Sequence, residues 1–431
     1  MRKIIILAVS LIISLPVFAQ ESRTYQFTLE ECLEYALQNS YGRQSIKLSE
    51  DLNEETYKLS KQLRLPSLSA SLSESFSHHH GESGAWGGNY GLSTSITLFQ
   101  GLNIHNTIKQ NKLISEQSKY RTTQYDNELK IQILQSFLSV LGNEELLRLQ
   151  QQLLVATEEQ LKQGEEQLRA GQILESDFLL LQAQYATEKD NIVDSEISIE
   201  NSILALKNLL SMDPGSTLEI VYPDTSVINL LLALPSREEV LTKAFATMPD
   251  LQISLYEIDI ANLNVDLAKS AYYPNIGLSG GIATGHVVNY KDFGRQLADQ
   301  FNQQVSLSIN IPIYNRGQTK TRVMQNRILL QQAELDRLNT ELNIRQVVIQ
   351  EYQNVVSANS KYQAANVKQN AYYKTFEAYR ARFNLGDVTP VDLLQQQNNY
   401  ISALNEYIQG KYSFLLRRKI LDVYMGEEIK M

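Results

Sequence analysis

The longest regularity in the chain is a seven-residue one. Ile133, Val140, Leu147, Leu154, Leu161 and Leu168 recur at that spacing, and Val348, Val355, Tyr362, Gln369, Phe376 and Phe383 occupy the matching places further on. A stripe of this period marks a helix packed along a coiled-coil seam. Gln369 breaks the second stripe, which a wet or functional contact would explain. The stripes lie in two stretches, 103–170 and 318–385, that hold no proline and only two glycines, Gly142 and Gly164. At about 1.5 Å per residue, each predicts a helix of roughly 100 Å. Gly171 and Gly386 follow the last apolar positions as helix stops. Returning helices are expected over 176–210 and 391–425, about half the length of their partners. The helix preceding each hairpin would make up the difference, stacked end to end on the returning one.

Ahead of each long helix the period changes to two. Leu68, Ala70, Leu72 and Phe76 alternate with Ser67, Ser69, Ser71, Ser73 and Ser75; Tyr90, Leu92, Ile96 and Leu98 alternate with Gly91, Ser93, Ser95 and Thr97. Ile276, Leu278 and Ile282, then Val305, Leu307, Ile309, Ile311 and Ile313, repeat the design. Such alternation fits a half-buried soluble sheet, and it also fits a barrel with lipid outside and water inside. Strands of about 11 residues have the length that a tilted strand needs to cross a bilayer. Polar stretches join the strands, His78–Gly88 in one hairpin and about 289–299 in the other, and Phe76, Tyr90, Phe99, Phe301 and Tyr314 sit near strand ends.

The two halves are one plan written twice. Thr28-Leu29-Glu30-Glu31 aligns with Ser236-Arg237-Glu238-Glu239, and Lys61 and Pro66 with Lys269 and Pro274, all at an offset of 208. Past the hairpin loop the offset is 215: Phe99 pairs with Tyr314, Gly171 with Gly386, Asp177 with Asp392 and Leu206 with Leu421. One seven-residue insertion reconciles them. The expected organisation is therefore a repeat over 20–235 (hairpin 67–99) and a second over 236–431 (hairpin 275–313). Residues 1–19 stand apart: Arg2 and Lys3, an apolar run and Val17-Phe18-Ala19 spell a secretory signal peptide.

Composition narrows the function. Removing Arg2 and Lys3 takes the net charge from −9 to −11, which leaves no basic footprint for nucleic acid. The mature part has no apolar run long enough for a membrane helix, so membrane entry would need β-strands in a closed barrel. Four strands cannot close one, and the smallest barrels have about eight, so several copies must share a sheet. Cys32 is alone, which rules out an internal disulfide.

With these features in place, the chain resembles the TolC family of outer-membrane efflux proteins over essentially its whole mature length. The resemblance rests on Leu29–Asn39, on Leu65-Pro66-Ser67-Leu68 with its echo Tyr273-Pro274-Asn275-Ile276, on Leu98-Phe99-Gln100-Gly101 and Ile313-Tyr314-Asn315-Arg316-Gly317, and on Arg169-Ala170-Gly171 and Asn384-Leu385-Gly386. It implies a mainly α fold with membrane β: a homotrimer whose twelve strands form an outer-membrane barrel, continued by a long periplasmic α-helical barrel. It implies an exit duct for efflux or type I secretion, docked to a periplasmic adaptor and through it to an inner-membrane pump. A periplasmic coiled-coil scaffold or adaptor with a soluble sheet is the competing reading, against which the doubled layout and the serine-lined strand faces argue.

Candidate site residues follow from the same resemblance. In the family a ring of carboxylates constricts the periplasmic tip near the second turn. Asp392 matches it, with Asp387 close by, while Gln395 stands where a second acid is expected, so a doubled acidic ring is in doubt. Three copies of Asp392 would favour cations; a carboxylate at a helix N-terminus is an equally simple reason for Asp392 and for its counterpart Asp177. Leu168, Arg169, Gly171, Leu385 and Gly386 are the candidate adaptor-docking tips, although a plain helix reversal needs the same glycines. His78-His79-His80 with Glu82 has metal-ligand chemistry but the look of a solvated loop. No catalytic set, metal-ligand spacing or phosphate loop stands out, and Gly280-Gly281-Ile282-Ala283-Thr284-Gly285 lies in a strand pattern; no enzyme activity and no cofactor are expected.

Overall fold

The computed structural model describes residues 24–78, 80, 84–222, 234–287 and 292–429. In chain order its elements are β1 (Thr24–Phe27), α1 (Leu29–Asn39), α2 (Tyr41–Gln62), β2 (Ser67–Ser77), β3 (Ala85–Gln100), α3 (Asn103–Arg169), α4 (Glu175–Leu209) and β4 (Thr217–Ile220), followed by α5 (Arg237–Thr247), α6 (Pro249–Ser270), β5 (Asn275–Val287), α7 (Phe293–Asp299), β6 (Asn302–Asn310), α8 (Gln318–Asn384) and α9 (Pro390–Tyr424). The signal segment 1–19 lies outside the described residues. So do His79 and residues 81–83, and with them most of the histidine-rich loop.

Local chemistry sets where these helices begin. Thr28 accepts from the Glu31 amide while the Glu31 carboxylate accepts from the Thr28 N–H, a capping box that opens α1. Ser236 does the same job for α5 by accepting from the Glu239 amide. Each short helix then turns into a second one whose start meets the end of the returning helix. The Tyr41 N–H donates to Ser211 Oγ at 3.1 Å, which sets α2 on α4. Thr247 Oγ1 donates to the Tyr424 carbonyl at 2.9 Å, which sets α6 on α9. Each long helix, 67 residues in both repeats, thus runs beside a partner made of two stacked pieces.

The four membrane-length strands form one antiparallel sheet in the order β2-β3-β5-β6. Leu72 faces Tyr90 across the first pair, and Leu278 faces Leu307 across the last. β2 and β6 are unpaired along their outer edges among the described residues. Two expectations need correction here. β6 ends at Asn310 instead of running to Ile313, because Pro312 has no N–H to give a ladder and Asn310 already faces Asn275, the first residue of β5. The stretch 289–299 is not simply a loop, since Phe293–Asp299 winds into α7.

The main core lies where the short helix of the first repeat crosses the long one. Leu29, Cys32 and Ala36 of α1 pack with Ile133, Leu134 and Phe137 of α3 and with Leu206 of α4. Cys32 is fully buried there, and burial with the neighbouring Glu31 charge pushes its thiol up to about 12, the behaviour of an inert packing residue. A second core joins Val240 and Ala244 of α5 to Val348 and Val355 of α8 and Leu421 of α9.

Towards the tip the first-repeat stripe departs from expectation. Leu154, Leu161 and Leu168 are only half-buried, and the neighbouring heptad Leu153, Gln160 and Gln167 takes the seam. Gln160 is 1% exposed, and neither end of its amide has a partner. Beside it, the Gln397 amide of α9 donates to Thr157 Oγ1 of α3 at 2.9 Å. Gln397 also bonds the carboxyl of Glu188 on α4, with Gln184 donating to the same group at 2.6 Å. Gln369, the break in the second stripe, is half-buried and bonds Tyr400.

Two predictions come from this packing. Phe137 is 0% exposed, and Phe137→Ala should cost about 3–5 kcal/mol by leaving a cavity, read as a lower midpoint in thermal unfolding followed by circular dichroism. Burial raises the pKa of Glu188 against its three hydrogen bonds. A raised acid binds its proton more tightly when folded, so stability falls as pH climbs from the unfolded pKa through the folded one. Glu188→Gln should therefore raise the melting temperature at pH 8 and flatten its dependence between pH 5 and 8; an unchanged slope would show that Glu188 does not titrate in that seam.

Candidate conduction path and helix tips

The sheet has one polar and one apolar face, as the strand alternation requires. Ser67 and Ser69 hydroxyls meet those of Ser95 and Ser93 at 2.9 and 2.8 Å, a ladder of small polar groups. This face is concave, with a hollow of about 520 Å³ lined by Ser67, Ser69, Ser93, Ser95, Ser279 and Ser306. The opposite face carries Leu68, Leu72, Val305 and Leu307, which are 72%, 77%, 81% and 59% exposed. A sheet that turns serine to one face and leucine and valine to the other suits water on the first side and hydrocarbon on the second. At one end of the apolar face Phe76 packs on Trp86, with ring centroids 5.3 Å apart, and Phe293 stands edge-on over His286 at 4.8 Å. Tyr90 donates to Glu74 and approaches His286 Nδ1 at 3.3 Å in the same belt.

At the far end of the long helices the two repeats make the same turn. Gly171 has φ +73° and Gly386 φ +75°. The amides following them, Gln172 and Asp387, donate back to Gln167 and Arg382 carbonyls at 2.8 and 3.0 Å. This is a left-handed glycine cap that closes the last turn of α3 and of α8. A Cβ on either glycine would meet nothing within 4 Å, so backbone conformation alone demands glycine. Leu385 is 85% exposed at the second tip. Arg169 is exposed and pairs with Glu165 at 2.5 Å, while Leu168 is half-buried behind it.

The three gate candidates share the exposed side of that second tip. Asp387 is held by Arg382 at 2.8 Å, a surface ion pair. Asp392 sits at the N3 position of α9: Thr389 Oγ1 accepts from its amide, and its carboxylate accepts from the Thr389 N–H and hydroxyl. The carboxylate thus stands at the helix N-terminus, as considered from the sequence, and closes a capping box there as well. The box leaves the carboxylate exposed, as is Gln395 one turn on, which donates to Asn399. For Asp177 the structure gives the α4 first turn, without a side-chain cap at Leu174.

Sequence reasoning missed the links between repeats. Arg380 of α8 bonds Glu159 of α3 at 2.5 Å, and the buried Gln167 amide donates to the Phe383 carbonyl at 2.9 Å. Further up, Gln110, Gln117 and Gln124 of α3 donate to Asn264, the Ile253 carbonyl and Asp250 of α6 at 2.6, 3.1 and 2.7 Å. That glutamine heptad was visible as spacing, but a polar heptad has no partner until the helices are side by side. Lys411 and Tyr412 of α9 both reach Glu145 of α3 at 2.7 Å, and burial pushes the Tyr412 hydroxyl well above its ordinary pKa.

Among the described residues no helix is long and apolar enough to cross a membrane, and no group of three or more potential metal ligands comes together. Residues 32–211 and 240–427 match a family described as outer membrane efflux protein, one match to each repeat. The outer membrane efflux protein BepC of Brucella suis biovar 1 is 19% identical over 331 residues, covering 76% of this chain and 70% of that protein. The outer membrane protein TolC of Vibrio cholerae is 24% identical over 307 residues, 69% and 67% of the two chains. In three dimensions, the crystal structure of CusC superposes with a TM-score of 0.80 at 18% identity, covering 93% of this chain and 92% of the other. The Campylobacter jejuni outer-membrane channel CmeC gives 0.76 at 17% identity, covering 92% and 85%.

Replacing Gly386 by alanine should strain the tip by about 1–2 kcal/mol, the cost of a left-handed residue that bears a Cβ. We expect faster proteolysis confined to the α8–α9 turn; cleavage spread evenly through the chain would mean the turn is not the weak point.

Proposed function

The chain belongs to the outer membrane efflux protein family, and from that premise we propose that three copies assemble into the exit duct of a tripartite efflux or type I secretion system. The observation that carries this reading is the four-stranded sheet with open edges at β2 and β6, continuous with helices of 67 residues. In lipid each unpaired backbone group costs several kcal/mol. Three protomers joined edge to edge make a closed twelve-stranded barrel with the serine faces inward, and their helices extend it through the periplasm. Cargo then moves in water past serine and threonine hydroxyls and bare glycine backbone, without any chemical step.

The tips are assigned two tasks on this reading. Leu385 and Gly386, with Leu168, Arg169 and Gly171, present the surface for a periplasmic adaptor that couples the duct to an inner-membrane pump. Asp392 selects at the constriction. Asp387 is already paired with Arg382, and Gln395 is uncharged, so three copies of Asp392 supply a single ring of negative charge there. A single ring favours cations with less force than a doubled one.

Current through a planar lipid bilayer after addition of the detergent-purified protein tests the duct. Discrete, long-lived conductance steps are expected, and a protein that stays soluble and never inserts would favour the periplasmic scaffold. Asp392→Asn should lower the cation-to-anion permeability ratio, measured from the reversal potential in a salt gradient. If conductance and reversal potential are both unchanged, Asp392 does not line the constriction.

A further inference from the structure

At the level where α6 stacks on α9, an open groove of about 930 Å³ runs between α1 and the C-terminal residues. Its floor is apolar, formed by Leu37 of α1, Ile131 of α3, Met248 before α6, Val347 of α8 and Tyr424 of α9. None of these five is buried, and Val347 is 44% exposed. The other four are half-buried, so this apolar floor is partly open to water, as at an interaction surface.

The rim settles what kind of partner fits. Among the described residues it carries Glu30, Glu34, Glu128, Asp250, Glu427 and Glu428 with one ammonium, Lys130. The whole chain has 48 acidic to 39 basic residues, so the imbalance at the groove is local and not a reflection of overall charge. Glu34 accepts from Gln38 and Asp250 from Gln124, neutral amides that leave both charges in place. Glu427 is paired with Lys243 at 3.1 Å, and Glu128 is exposed. A focused negative rim over an apolar floor attracts cationic groups and rewards burial of the apolar ones beneath.

We propose that this groove docks a basic amphipathic segment of a second protein, apolar side down and lysines or arginines towards Glu34 and Glu128. A neighbouring copy of this chain is the poorer occupant. α6 and α9 both lie between α3 and α8, so the groove floor is in the middle of the protomer, whereas copies that close the sheet meet at its β2 and β6 edges. Helix-in-groove recognition needs apolar anchors on one face at helical spacing. The proposal places the groove in the periplasmic part of the chain and does not depend on the gate or on the adaptor tips.

The test uses the full chain in non-ionic detergent and a fluorescein-labelled peptide of about 18 lysines and leucines, its leucines on one helical face. A second peptide of the same composition has its leucines scattered around the helix. Fluorescence anisotropy should show binding of the first and about tenfold weaker binding of the second, with affinity falling as salt is raised. Glu34→Lys with Glu128→Lys should weaken the first peptide about tenfold or more. Glu196→Lys with Glu200→Lys, the same charge change on the exposed face of α4, should leave it within about twofold. Equal loss in both variants, equal binding of both peptides, or no binding would overturn the proposal. A peptide that binds only after the assembly is dissociated would show instead that a neighbouring copy covers the groove. Channel conductance of the groove variant should match the wild type, so a failure here is separable from a failure of the duct.

Discussion

Everything in this structure depends on the backbone along β2 and β6, whose outer edges are unpaired among the described residues. A four-stranded sheet has two edges, and in hydrocarbon nothing but another strand can satisfy the N–H and C=O groups there. Water would satisfy them, but water does not explain Leu68, Leu72 and Val305 standing out on one face with serine on the other. On the proposed reading, a sheet closed by further copies of itself meets both demands. On that reading the protomer is an arc of a tube, and its helices are arcs of its wall.

That constraint explains features that look like defects in a single chain. Outside the main core under α1, the hydrophobic clusters are smaller and separated along the helices, because a layer one helix thick has no deep interior. The seams are laced with polar contacts instead: Gln110, Gln117 and Gln124 against α6 between the repeats, Thr122 against Glu50 of α2 within the first, and Arg417 against Glu351 within the second. Hydrogen bonds of this kind contribute about 1 kcal/mol each but specify register, which a featureless apolar seam would not. The unpartnered Gln160 amide and the Gln397–Thr157–Glu188 layer mark the place where the seam between hairpins is least well satisfied.

The tips show how one small device serves two repeats. Gly171 and Gly386 adopt the same left-handed conformation and the same pair of backward hydrogen bonds. What differs is the helix that follows. Thr389 and Asp392 form a full capping box on α9, and Pro390 occupies its first turn, whereas α4 starts from Leu174 with no side-chain cap. The second turn is therefore the more firmly built, and it carries the exposed Leu385 and the carboxylates.

Sequence alone determined the doubled plan, the long helices, the alternating strands and the glycine turns. Each of these is encoded by a local period or a single residue's backbone preference, so neighbours in sequence suffice to reveal it. It also marked where the helix tips fall, at Gly171 and Gly386, although Leu168 is half-buried there. Only the tertiary structure decided which heptad faces the seam, since Leu153–Gln160–Gln167 and Leu154–Leu161–Leu168 differ by one position and a helix rotates by about 100° per residue. It decided that β6 stops at Asn310, because the ladder ends where β5 begins. And it decided the Arg380–Glu159 link and the acidic groove, whose residues lie far apart in the chain and meet only when two repeats are laid side by side.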